Sequence, residues 1–312
     1  MCKRLQYRDS TTCIFLMCAC HKQPPQRKNA TVYIEKIKGK FQIYKNGKPY
    51  VIKGASGYSN LDVLAEAGGN TIRVWDTTNV ASILNNAQRH GISVILGLPL
   101  PESRFMHIYN DKQKVAKQLQ GIKSLVNRYK NHPALLMWCV GNELVFPYRP
   151  EYNAFYKSFN GIVDMIHQDD PDHPVTTTMI NFQRKEIFNI TMRTNVDLLS
   201  FNTFSRITSL DQDIQDFSWF WKGPFLITEW AIDGPWKDSP SNAWSANIES
   251  TSTKKAAHYL ERYKKYMPIN HPGYLGSFIF YWGQKQEATH TWFSLFDEKG
   301  NKTEMVDAAR QV

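Results

Sequence analysis

The chain has 312 residues, of which 42% are hydrophobic and 13% aromatic, and its formal net charge at pH 7 is +10. This composition excludes an intrinsically disordered protein, and the length suits a single α/β barrel, which takes about 250 residues. The basic residues are not interleaved as a nucleic-acid footprint requires and are predicted to lie on solvated helix faces, so no nucleic-acid partner is predicted.

The first twenty residues differ from the rest of the chain. Lys3, Arg4 and Arg8 precede a short apolar run that ends at Ala19, directly before Cys20. A basic start, a short apolar segment and a small residue before the cleavage point are typical of an export signal. Residues 17–20, Met-Cys-Ala-Cys, also resemble a bacterial lipobox, in which Cys20 becomes the lipidated first residue. The alternative is a disordered or misassigned start.

The sequence therefore predicts three parts. Residues 1–20 form a signal or lipoprotein leader, residues 21–30 a polar tether, and residues 31–312 a single barrel domain. The expected location is outside the cytoplasm, facing the periplasm or cell surface. The protein would touch the membrane only through a lipid on Cys20, because the leader is too short to span a bilayer as a helix. The oligomeric state is left open.

After the tether, the chain begins with a predicted β-hairpin and then alternates strands with helices. Asn46-Gly47 between two apolar runs is a strong hairpin signal. Eight buried strands with crossover helices then predict a closed (β/α)8 TIM barrel. The predicted strands are Val51–Gly54, Thr71–Trp75, Ser93–Leu98, Leu135–Val140, Val175–Met179, Leu198–Asn202, Phe225–Thr228 and Gly276–Tyr281. The predicted helices include Val80–His90, Lys112–Lys130, Glu151–Asp169, Leu210–Phe220 and Lys254–Met267.

Polar and aromatic residues gather where these strands end. Two apolar strands end in a glutamate, Glu143 and Glu229. A buried carboxylate is costly to desolvate, so a protein core gains nothing from one, and its presence indicates a function. In such a barrel the chemistry belongs at the carboxyl ends of the strands. The sequence therefore predicts two catalytic carboxylates at one rim, about 4.5–6 Å apart, as cleavage of a glycosidic bond with retention requires. The other residues predicted there, as substrate-binding groups, are Arg73, Trp75, Asp76, Asn142, Asn202, Trp230 and Trp282.

Several of these segments resemble the barrel of clan A glycoside hydrolases, most closely the family 2 barrel of the β-galactosidase, β-glucuronidase and β-mannosidase group. The resemblance covers about residues 40–285. The sequence given contains nothing similar to the β-sandwich domains that flank the family 2 barrel. The segments that carry the resemblance to the family 2 barrel are Asn46 to Gly54, Asn70 to Trp75, His90 to Ile92, Trp138 to Glu143 and Ile227 to Trp230.

The resemblance implies a role for five of these residues. Glu143 would be the general acid/base and Glu229 the nucleophile of a retaining β-glycosidase. Arg73 would pair with the nucleophile, Asn142 would hold the sugar 2-hydroxyl, and Trp282 would form the floor of the cleavage subsite.

One position departs from the family pattern. Phe204 stands where a tyrosine that touches the nucleophile is usual.

The expected partner is a carbohydrate, and the expected activity is hydrolysis of O-glycosyl bonds in oligo- or polysaccharides. Two alternatives stay open: a glucan-remodelling transglycosylase of the same clan, and a non-catalytic glycan-binding surface lipoprotein.

No cofactor is predicted. The histidines show no metal-ligand spacing, Cys139 is the only cysteine of the barrel, and Lys285 with Glu287 is expected either to line the pocket or to form an ion pair.

Overall fold

The computed structural model describes residues 30–236 and 240–312. The predicted leader, and the tether apart from Ala30, lie outside the described residues. Within the described ranges, no helix combines the length and hydropathy needed to cross a membrane.

Eight parallel strands close into a barrel, which confirms the predicted (β/α)8 fold. Each strand pairs with its neighbour in chain order, and the last pairs with the first. Their bodies are almost continuously buried, as expected for strands covered by helices on the outside and packed side chains inside. The barrel strands are β4 Ile52–Gly57, β5 Thr71–Val74, β6 Ser93–Leu98, β7 Leu135–Asn142, β8 Val175–Ile180, β9 Leu198–Asn202, β10 Phe225–Trp230 and β11 Tyr274–Trp282.

The helices surround this barrel. Four of the five predicted helices begin and end within about two residues of the predicted bounds. The fourth, α7, begins three residues earlier and ends at Asp216, because Phe217 and Trp221 turn into the core. The helices of the described residues are α1 Leu61–Glu66, α2 Val80–Arg89, α3 Met106–Tyr109, α4 Lys112–Tyr129, α5 Asn153–Asp169, α6 Arg184–Arg193, α7 Ile207–Asp216, α8 Ser252–Tyr266 and α9 Glu304–Ala309.

A small antiparallel sheet closes the amino-terminal end of the barrel. It consists of β1 Val32–Ile37, β2 Lys40–Lys45 and β3 Lys48–Tyr50. Asn46 and Gly47 both have positive φ, as a two-residue hairpin turn requires. The buried face of this sheet packs on side chains from the barrel interior, and the cluster includes Val32, Ile34, Phe41, Ile43, Ile95, Leu136, Met137, Leu198, Leu226 and Phe278. These side chains therefore fill the barrel interior at its amino-terminal end, and the rim at the carboxyl ends of the strands remains available for a functional site.

Gly97 in β6 lies against the backbone that follows β5. A Cβ at this position would come within 2.5 Å of the Trp75 carbonyl carbon and oxygen, and backbone cannot move aside cheaply. We expect Gly97→Ala to lower the free energy of unfolding by about 1–3 kcal/mol, as overpacking does.

Gly121 provides the matched control for this substitution. It lies on the exposed face of α4 with open space around it, so Gly121→Ala should stabilise the protein by about 0.5–1 kcal/mol. Thermal unfolding of both variants measures the difference, and equal effects would show that the close approach at Gly97 is not restrictive.

Candidate active site

The backbone at the end of β7 bends so that Glu143 reaches the cleft. The pairing of β7 with β8 is irregular between Cys139 and Asn142, and Glu143 itself has a φ of 55°. Such a backbone is uncommon for a residue with a side chain and concentrates at functional sites. Gly141 is required here, because its φ is positive and a Cβ would collide with the Leu144 side chain.

Glu229 lies near the end of β10 and accepts three hydrogen bonds on one oxygen. Its Oε1 receives Nη1 of Arg73 at 2.5 Å, Nε1 of Trp75 at 2.7 Å and Nδ2 of Asn202 at 2.8 Å. Its other oxygen, Oε2, accepts no hydrogen bond from the described residues. The three donors fix the carboxyl group and leave Oε2 as its free oxygen.

Asn202, at the end of β9, joins the two glutamates. Its Nδ2 lies 2.8 Å from Oε1 of Glu143 and 2.8 Å from Oε1 of Glu229, so these oxygens are separated by no more than twice that distance. The hydroxyl of Thr228 donates to Oδ1 of Asn202 at 2.9 Å, which fixes the orientation of the amide. The two carboxyl groups therefore face one cleft across a single shared nitrogen.

Arg73 connects this pair to Asn142. Its Nη2 donates to Oδ1 of Asn142 at 2.5 Å, and its guanidinium lies over the Trp75 ring. Arg73 is fully buried, so its ion pair with Glu229 is shielded from water. Because the amide oxygen of Asn142 is used by Arg73, its exposed Nδ2 is the group left to donate to a ligand.

Burial raises the pKa of Glu229 from 4.5 to about 7; the Arg73 charge lowers it, and the Glu143 charge raises it. Loss of water around the carboxylate therefore outweighs the three donors. A raised pKa means that the protonated group stabilises the folded state below pH 4.5, and that this contribution is lost as the pH rises towards 7.

We therefore expect Glu229→Gln to be more stable than the native protein at pH 8, by about 3 kcal/mol for a rise of this size, and equally stable at pH 4. Thermal unfolding of both proteins at the two pH values measures this. If the native protein is more stable than Glu229→Gln at pH 8, the three hydrogen-bond donors stabilise the ionised carboxylate by more than its burial costs.

Two of the predicted sugar-binding tryptophans are wrongly placed for that role. Trp230 follows Glu229 on β10, so its side chain points to the opposite face of the strand, where it stacks on Tyr259 of α8 at 4.6 Å. Trp282 is 1% exposed, packs on Phe296, and donates its indole N–H to the carbonyl of Asn60. Both rings are core packing and offer no face to a sugar.

The remaining predicted residues do lie at the rim. Trp75 and Asn202 donate hydrogen bonds to the Glu229 carboxyl group, while Asp76 accepts hydrogen bonds from the Tyr58 hydroxyl and the Thr78 amide. Tyr58 was not predicted from the sequence.

The sequence also missed the aromatic neighbours of Trp75. Phe280 packs edge-on against the Trp75 ring at 5.9 Å, and Tyr281 stacks on it at 5.7 Å. Both belong to β11, directly before Trp282, and their position at the end of a predicted strand was the available signal.

Lys285 and Glu287 form the ion pair that was one of the two expectations, at 2.9 Å. Lys285 also lies over the Phe280 ring, and its charge lowers the pKa of Glu229. It is therefore a cation at the edge of the cleft. Among the described residues, no group of three or more His, Cys, Asp or Glu side chains is arranged to hold a metal ion.

A parallel eight-stranded barrel with a carboxyl pair on its fourth and seventh strands, at the carboxyl ends, has the architecture of a glycoside hydrolase barrel. The sequence profile described as "Glycosyl hydrolases family 2, TIM barrel domain" matches residues 58–290, and the chain belongs to this family.

Relatives with curated descriptions agree with this family. The β-glucuronidase of Rattus norvegicus is 30% identical over an alignment of 160 residues, which covers 45% of this chain and 23% of that protein. The β-glucuronidase of Homo sapiens is 26% identical over 158 residues, 44% of this chain and 23% of that protein. The matched region thus spans about a quarter of the length of these relatives.

Solved structures show the same fold over most of the chain. A β-glucuronidase of Bifidobacterium dentium in complex with coumarin-3-O-glucuronide superimposes with a TM-score of 0.66 at 16% identity, covering 90% of this chain and 48% of that one. A family 2 β-galacturonidase of Eisenbergiella tayi bound to galacturonate gives a TM-score of 0.68 at 16% identity, covering 90% and 54%. The chain spans about half the length of these proteins.

Proposed function

We propose that this protein is a retaining β-glycoside hydrolase in which Glu229 is the nucleophile and Glu143 the general acid/base. The observation that carries the proposal is the single Asn202 nitrogen shared by the two carboxyl groups. It limits the separation of their two Oε1 oxygens to at most twice 2.8 Å. This supports retention, for which the carboxyl groups lie about 5–5.5 Å apart, over inversion, for which they lie about 6.5–9.5 Å apart to leave room for a water.

The chemistry takes place in two steps. In the first, Glu229 acts in its ionised form, which its pKa of about 7 makes the dominant form only above that pH: its Oε2 attacks the anomeric carbon, the glycosidic bond breaks, and Glu143 gives its proton to the departing oxygen. In the second, Glu143 takes a proton from water, the water oxygen attacks the same carbon, and the bond to Glu229 breaks. Two inversions give net retention. In this proposal the amide of the exposed Asn142 donates to a hydroxyl of the bound sugar.

Turnover of a substrate panel tests this function. The panel contains aryl β-glucosides, β-galactosides and β-mannosides, together with aryl β-glucuronides and β-galacturonides. The uronides are included because relatives carry those activities in their names and because Lys285 could exchange Glu287 for a substrate carboxylate. NMR of the first product formed should show the β anomer. A first product in the α form would contradict retention.

The two alternatives are separated in the same assay. A transglycosylase would give longer products when an oligosaccharide acceptor is added, at the expense of free sugar. A non-catalytic binding protein would bind glycans but release no product from any substrate. The carboxyl pair and the three donors to the buried Glu229 support catalysis, since a binding protein has no use for a carboxyl group buried at this cost.

We also propose, from the sequence alone, that the protein is exported and anchored by a lipid on Cys20. Mass spectrometry of the protein from its native host should find residues 1–19 missing and Cys20 acylated. An unmodified start in the cytoplasm would contradict export and leave the barrel chemistry unaffected.

A further inference from the structure

Trp236, in the segment after β10, is both exposed and held in place. Its side chain is 63% exposed, although its ring packs on Phe204 at 5.7 Å and on Phe293 at 5.6 Å. Gly234 lies behind the indole, and any side chain at that position would collide with it. An indole left in water while fixed on several sides presents a rigid apolar face.

The ring contacts of Trp236 lead directly to the catalytic carboxyl group. Phe204 also packs on Phe280 at 5.5 Å, Phe280 packs on Trp75 at 5.9 Å, and Trp75 donates to Glu229. These rings come from segments that follow β5, β9 and β10 and from β11 itself, so they line one side of the rim at the carboxyl ends of the strands. Trp236 is the exposed outer end of this continuous aromatic wall.

We infer that Trp236 is a binding platform for a further pyranose ring of an oligosaccharide whose terminal or cleaved unit lies at Glu143 and Glu229. This inference rests on the proposed function for the identity of the inner site. A pyranose has one face of C–H groups that stacks on an indole, while its hydroxyls remain in water, which suits a single exposed ring at the edge of a polar cleft. A protein partner would need a far larger apolar surface than one indole.

The chain offers a matched control in Trp219. It is 78% exposed and also touches two aromatic rings, Phe217 and Phe220. It lies between α7 and the start of β10, at the end of the barrel opposite the cleft. Removal of either indole deletes the same side chain from a similar surface setting, but only Trp236 adjoins the site.

The experiment compares Trp236→Ala, Trp236→Phe and Trp219→Ala. With the best oligosaccharide found for the native protein, we expect Trp236→Ala to raise KM by about 3- to 10-fold, the value of one stacking contact, and Trp236→Phe to restore part of the loss. Hydrolysis of the matching β-glycosyl fluoride, whose leaving group has no ring to stack on the indole, should change less than twofold. Trp219→Ala should behave as the native protein with both substrates. Equal losses on the two substrates, or an unchanged KM for the oligosaccharide, would overturn the inference.

Calorimetric binding keeps this test independent of catalysis. The same oligosaccharides are titrated into Glu229→Ala with and without Trp236→Ala. If the native protein hydrolyses nothing but binding still depends on Trp236, the proposed function fails and the platform stands. If hydrolysis occurs but neither KM nor binding depends on Trp236, the platform alone fails. If no oligosaccharide binds, the platform is excluded.

Discussion

Glu229→Ala should lose turnover of every substrate, by at least about 10⁴-fold in kcat, because no covalent glycosyl intermediate can form without Oε2. The effect does not depend on the leaving group, since both chemical steps pass through the missing bond. Steady-state kinetics with an activated aryl glycoside and a natural oligosaccharide measures it.

Azide separates loss of the nucleophile from simple misfolding. The small anion can enter the space of the missing carboxylate and attack the anomeric carbon of an activated β-glycoside, releasing the aryl oxide and giving the α-glycosyl azide. Rescue with this inverted product is expected only for Glu229→Ala. A variant that retains a tenth of native activity without azide would contradict the role of Glu229.

Glu143→Ala should lower kcat/KM by an amount that depends on the leaving group of the substrate. With a natural glycoside, whose alkoxide needs a proton to depart, we expect kcat/KM to fall by about 10²–10⁴-fold, the usual contribution of a general acid. With a dinitrophenyl glycoside the loss in kcat/KM should stay below about tenfold, because this leaving group departs without protonation.

The rescue product distinguishes this variant from the preceding one. Azide should attack the intermediate on Glu229 from the face that Glu143 has vacated, and the product should be the β-glycosyl azide. Equal losses on both kinds of substrate, or an α product, would show that Glu143 is not the acid.

The fold could be predicted because the barrel strands are short apolar runs with helices between them. The helix α6 was not among the helices named from the sequence, since only three residues of Arg184–Arg193 are buried and its apolar pattern is weak. The two glutamates could be identified because each lies at the end of an apolar strand, where a carboxylate is unusual.

The environment of Glu229 could be predicted only in part. Trp230 was placed at the site because it adjoins Glu229 in sequence, yet successive strand residues face opposite sides, and the same alternation argues against this choice. The Asn202 bridge joins residues from three strands, so only the three-dimensional arrangement reveals it.

Phe204 illustrates how the structure compensates for a missing group. This residue carries no hydroxyl to donate to Glu229, and its ring packs instead on Phe280 and Trp236. The donation to Oε1 of Glu229 comes from the Trp75 indole. With Arg73 and Asn202, the Trp75 indole at the end of β5 gives the Glu229 carboxyl group three hydrogen-bond donors. The carboxyl group is therefore held firmly although Phe204 has no hydroxyl.

The small sheet beneath the barrel places the start of the described chain relative to the cleft. The amide of Val32 donates to the carbonyl of Asp172, just before β8, so the chain enters at the amino-terminal end of the barrel, opposite the rim with the two glutamates. Whatever precedes Ala30 is attached at the pole farthest from the two glutamates. If that attachment is to a surface, it leaves the cleft on the side of the barrel away from the attachment point, where a large polymer has access to it.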